Sequence, residues 1–115
     1  MDTSVTLDQI TPNPDDAIRR RIKFASTARA LLWCYHQFTK EKPETFVYTT
    51  ELAKFLGVST TRAYQILHEF ELYGLLWCKR TTSTFNEFHA CKHDTTGELV
   101  MQKWVLLAKK TLGLI

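Results

Sequence analysis

Residues 49–76, TTELAKFLGVSTTRAYQILHEFELYGLL, constrain the fold more tightly than any other stretch of the chain. Leu52, Ala53, Phe55 and Leu56 give a first helix one apolar face. Val58, Ala63, Ile66, Leu67 and Phe70 give a second segment its own face, at spacings of three and four. Between them, Gly57 supplies the backbone freedom that a sharp helix exit requires, and Ser59 is an N-cap for the next helix. Two short helices joined by a tight turn follow from this pattern, with a strand starting after Gly74.

The flanking segments extend the pattern. Asn13 as N-cap, Pro14 at the first helical position and acidic Asp15 and Asp16 predict a helix start. That helix is expected to run to about Lys40 as one long element, with Ile18, Ile22, Ala25, Leu32, Tyr35 and Phe38 on one side. Its first part, holding Arg19, Arg20, Arg21 and Lys23, is expected to project beyond the domain. Phe46, Val47 and Tyr48 form a candidate short strand, after which Thr50 caps the next helix. Residues 75–82 and 87–93 read as a β-hairpin across a polar link at 83–86. A turn centred between Thr84 and Phe85 sets Cys78 opposite Cys91 and puts Leu75, Trp77, Phe88 and Ala90 on one face. At the C-terminal end two readings compete. Thr95 with Glu98 suggests a capping box, followed by helical spacing of Val100, Trp104, Leu107 and Ala108. Alternatively residues 94–97 are a hairpin turn and 99–107 a further strand. The helix, over about residues 96–112, is favoured.

Residues 46–93 resemble the winged helix-turn-helix class, whose second helix enters the DNA major groove. The terminal helices are similar to those of dimeric transcription regulators, although no particular family is matched. The resemblance implies an α+β, mostly helical fold with a long N-terminal helix, a β-hairpin wing and a C-terminal helix. Residues 1–12 read as a flexible tail and 13–115 as one domain, with the helix-turn-helix at about 50–73 and the wing at about 75–93.

On the second helix, Ala63, Ile66, Leu67 and Phe70 must face the core, which leaves Thr60, Thr61, Arg62, Tyr64, Gln65 and His68 outside. These side chains suit DNA: hydroxyls for phosphates, Gln for adenine and Arg for guanine. Thr60 and Thr61 also lie where helix N–H groups favour a phosphate. Glu69 and Glu71 oppose this, and Arg62 is the one Lys or Arg of that helix. Phosphate attraction must come from elsewhere, with Lys79 and Arg80 on the wing, Lys54 on the preceding helix, and Arg19, Arg20, Arg21 and Lys23 as the candidates.

Charge agrees with a polyanionic partner. The net charge is +3, but residues 1–18 hold four Asp and no Lys or Arg. The remaining 97 residues carry fifteen Lys and Arg against eight Asp and Glu, a net +7. Four glycines at 57, 74, 97 and 113 make no phosphate loop, and no nucleophile-and-base set stands out, so catalysis is not expected. Cys78, His89, Cys91 and His93 are the one metal set worth weighing, and their spacing matches no familiar zinc pattern; no metal or other cofactor is expected. A Cys78–Cys91 disulfide is an alternative to free thiols. Cys34 is expected to pack within the surroundings of the first helix.

No stretch approaches the roughly 18 apolar residues of a membrane span, and no secretion signal opens the chain, so a cytoplasmic location is the default. Apolar residues exceed what one small core absorbs: Leu31, Leu32, Trp33, Tyr35 and Phe38 early, then Leu99, Val100, Met101, Trp104 and the residues after it. A homodimer through the terminal helices is the expected outcome, against a monomer in which they cover one another. The reading that emerges is a small dimeric DNA-binding regulator. A winged-helix interaction module within a replication, repair or transcription assembly is the second reading, and RNA binding by the same basic surface a remoter third.

Overall fold

The computed structural model describes residues 14–80 and 85–115. The expected tail at 1–12, the Asn13 cap, the last two positions of the expected 75–82 strand and half of the 83–86 link lie outside them. Among the described residues the fold is α+β and mostly helical: α1 (Pro14–Arg21), α2 (Ala25–Thr39), β1 (Val47–Tyr48), α3 (Thr49–Leu56), α4 (Thr60–Leu72), β2 (Leu76–Arg80), β3 (Asn86–Ala90), a 3₁₀ helix (Val100–Trp104) and α5 (Val105–Thr111). The three strands form one antiparallel sheet in the order β1–β3–β2. No helix among the described residues is long and apolar enough to cross a membrane.

The central helix pair is built as its local sequence demands. Gly57 adopts φ 70°, and its N–H donates to the Ala53 carbonyl to close α3. Ser59 Oγ accepts from the Arg62 N–H at 3.1 Å and opens α4. Thr50, expected as the cap of α3, lies inside it instead. The helix starts at Thr49, and the Glu51 carboxylate reaches back to accept from the Tyr48 N–H at 2.9 Å. Leu52, Ala53, Leu56, Ala63, Ile66, Leu67 and Phe70 are buried as the periodicity requires, whereas Phe55 is left 45% exposed.

The N-terminal region departs from the single long helix. The chain breaks at residues 22–24, where Phe24 takes extended angles and Ala28 N–H donates to the Phe24 carbonyl. Helical geometry supplies the reason. Ile22 and Leu31 are both fully buried, yet nine residues apart on a straight helix they point about 180° from each other. The break turns the second segment so that Thr27, Ala28, Leu31 and Cys34 are buried, while Leu32 and Tyr35 pack half-buried against the core and Ala25 is exposed. Nor does α1 project outward: Ile18 and Ile22 are part of the core.

The hairpin register differs from expectation by three residues. Cys78 pairs with Phe88, Trp77 with His89 and Leu76 with Ala90. An odd shift exchanges the two faces of a strand. Leu76 and Phe88 therefore point to the core, while Trp77 points away from it and is 48% exposed. Cys91 lies beyond the strand, its N–H donating to the Leu75 carbonyl, and all three cysteines are free thiols.

At the C-terminal end each competing reading holds in part. Residues 94–97 make a turn, with Gly97 at φ 72° and its N–H donating to the His93 carbonyl at 2.8 Å. Lys92 and Leu99 form one isolated bridge across it. Helix then starts at Val100 rather than about 96, first as 3₁₀ and then as α5. Thr96 Oγ1, not a Thr95 cap, accepts from the Glu98 N–H. Met101, Trp104 and Ala108 are buried, and α5 packs along α2.

Candidate nucleic-acid interface

Burial of Ala63, Ile66, Leu67 and Phe70 turns the opposite side of α4 outward. Thr60, Thr61 and Gln65 are exposed; Arg62, Tyr64 and His68 are half-buried. Tyr64 is the fixed point among them. Its ring meets the edge of buried Phe88 at 6.2 Å and stacks on His68 at 5.7 Å, the planes 8° apart. In front of it lies an open cleft of about 420 Å³, lined by Thr49, Thr50, Thr60, Thr61, Tyr64, Phe85 and Asn86. Two threonine pairs, one opening α3 and one opening α4, thus share a hollow bounded by the β-hairpin. Thr49, Thr50 and Asn86 did not figure among the sequence candidates. The repeated Thr-Thr at the two helix starts was the available signal.

The two carboxylates of α4 each pair with an arginine of another element. Glu69 accepts two hydrogen bonds from Arg21, at 2.8 and 2.7 Å, tying α1 to α4. Glu71 accepts two from Arg80, each at 3.2 Å, and its Oε1 also lies 3.2 Å from His68 Nδ1. Hydrogen bonds from Arg80, outweighing partial burial, hold the Glu71 carboxyl below the usual carboxylate range. Both negative charges are therefore neutralised in place, at the cost of the freedom of two candidate cations.

The remaining candidates separate. Arg19 pairs with Asp16 at 3.1 Å and covers the Trp104 ring, so it belongs to the side of the molecule where the 3₁₀ helix sits. Arg21 turns to α4. The basic run thus divides between two neighbours, as the helical angle between successive residues requires. Arg20, Lys23, Lys54 and Lys79 are exposed, and with Arg62 they make no ion pair among the described residues. Lys79 stands opposite Glu87 in the hairpin register. Around α4 the structure assembles Thr60, Thr61, Arg62, Tyr64, Gln65, His68 and Arg80 with the carboxylate-bound Arg21, and it leaves Arg19 elsewhere.

Among the described residues no three His, Cys, Asp or Glu side chains converge. Comparison with known protein families, with curated proteins and with solved structures found no match.

Proposed function

We propose that this chain is a winged helix-turn-helix protein that binds double-stranded DNA, acting as a small dimeric transcription regulator. In this reading α4 enters the major groove, with Thr61, Arg62 and Gln65 reading base edges. The threonine-lined cleft takes phosphate oxygens, and Lys54, Lys79, Arg20 and Lys23 supply attraction along the backbone. The observation that carries the proposal is the outward side of α4. It is polar, held in position by Tyr64, and no longer negative, because Glu69 and Glu71 are each matched by an arginine.

Dimerisation rests on the apolar residues that α2 and α5 leave uncovered after packing on each other. Leu106, Leu114 and Phe55 remain exposed, and a groove of about 290 Å³ lies among Leu32, Trp33, Phe55 and Leu112. A two-fold pair would present two α4 helices to successive grooves.

Titration of duplex DNA at several salt concentrations, comparing sites selected from a random pool with the unselected pool, tests the reading. Affinity should fall steeply as salt rises, and T61A/R62A/Q65A should abolish sequence preference with the fold intact. Indifference to duplex at low salt, with the triple variant behaving as the parent, would favour a protein-interaction module instead.

A further inference from the structure

The hairpin register puts an unexpected set of side chains on the sheet face that points away from the core. Trp77 and His89, paired across β2 and β3, stack at 4.1 Å with their planes 11° apart. The Phe46 ring lies 5.4 Å from His89 and 5.2 Å from Tyr48, and Tyr48 lies 5.8 Å from Phe85. Five rings thus follow one another across the sheet, from Phe85 at the threonine cleft to Trp77. At the Trp77 end they open on a groove of about 440 Å³, whose lining includes Phe38, Pro43 and Lys92.

We propose that this face binds a single-stranded nucleic acid, with unpaired bases stacking on the exposed Trp77 ring and phosphates drawn to Lys79 and Lys92. The other outward positions on β2 and β3 are Lys79 and Glu87, so this face of the hairpin has no aliphatic side chain. A dry protein interface excludes Lys and Glu from its centre, whereas a platform for bases combines flat rings with neighbouring cations. The charge balance favours a polyanion. Glu44, at the groove, lies 3.3 Å from Lys40, and Glu87 stands opposite Lys79 in the register, which leaves Lys92 in excess. Lys79 and Lys92 are exposed and make no ion pair among the described residues. The inference goes beyond duplex recognition and uses a different face.

The test is fluorescence anisotropy of a labelled twelve-nucleotide oligo-dT with the full chain, at low and moderate salt. Trp77→Leu keeps an apolar side chain but loses the ring; Trp77→Phe restores a ring. Stacking predicts binding by the parent, a loss of about 10-fold in W77L, and recovery in W77F to within about 3-fold of the parent. Lys92→Gln should weaken binding and lower the salt slope by about one. The T61A/R62A/Q65A variant should hold the single strand as the parent does, which separates this face from the duplex site. No oligo-dT binding by the parent at low salt overturns the proposal. So does equal affinity of W77L and parent, or equal affinity for an abasic strand of the same length.

Discussion

The pairing of Arg21 with Glu69 makes a quantitative prediction, because it joins segments 48 residues apart. Two short, parallel N–H to carboxylate bonds form the strongest common geometry for an ion pair. Side-chain exposures of 35% and 24% place the pair between the surface and the interior. Exposed pairs contribute about 0–1 kcal/mol, and breaking a fully buried one costs about 3–5 kcal/mol. A coupling energy of about 1.5 kcal/mol follows for this half-screened, bidentate case. The perturbation is the double-mutant cycle Arg21→Ala, Glu69→Ala and both together, read by urea unfolding. At an m-value of about 1.5 kcal/mol/M, the coupling corresponds to about 1 M of denaturant midpoint. Repeating the cycle in about 1 M NaCl, where the screening length is about 3 Å, should shrink it. A coupling below about 0.3 kcal/mol would show that the arginine is incidental and that α1 is held by its other contacts, chiefly the burial of Ile18 and the adjoining Ile22.

Further outcomes are specific. Phe88→Ala removes a fully buried ring packed against Tyr64 and should destabilise by about 3–5 kcal/mol in the same urea assay; a loss under 1 kcal/mol would contradict its central position. Glu71 titrates lower in the folded chain, so its contribution is complete above its ordinary value of 4.5 and is lost as pH falls through the lowered folded value. The stability difference between parent and Glu71→Gln should therefore narrow across that window, and a difference that stays constant with pH would refute the Arg80 linkage. Burial pushes the Cys34 thiol far up and the half-buried Cys78 and Cys91 thiols up less completely. A thiol-reactive disulfide at about pH 8 should modify Cys78 and Cys91 slowly in the native chain and Cys34 after unfolding; equal native rates for all three would be the contrary result.

Features set within a few residues were readable from the chain itself. Gly57 and Ser59 define the turn between α3 and α4, and the buried positions of both helices follow from their spacing. What depended on distant residues was not. Ile22 and Leu31 each look like helix-face residues, and only the position of the core shows that one straight helix cannot bury both. The polar link at 83–86 carries no residue that selects a turn type, so the register was open, and an error of three carried Trp77 to the wrong face. The same shift hides the ring series, because a register that groups Trp77 with Phe88 on one face leaves no basis for its stack on His89. Glu69 and Glu71 looked like repulsive charges on α4 because nothing local indicates that Arg21 and Arg80 fold back onto them. The outward residues of α4, by contrast, follow directly from which neighbours must be buried.

The pairing of Val47 with Phe88 has a consequence for the order in which the chain can assemble. The short β1 finds its partner only across α3, α4 and β2, so the two helices lie inside a loop that the sheet closes. During synthesis, α3 and α4 can dock as soon as both emerge, since their contact is local. β1 must wait, unpaired, until β3 leaves the ribosome. A strand of two residues suits that interval, offering few backbone groups to a wrong neighbour while the chain is unfinished. Closure then adds an entropic cost that grows only slowly with the length enclosed.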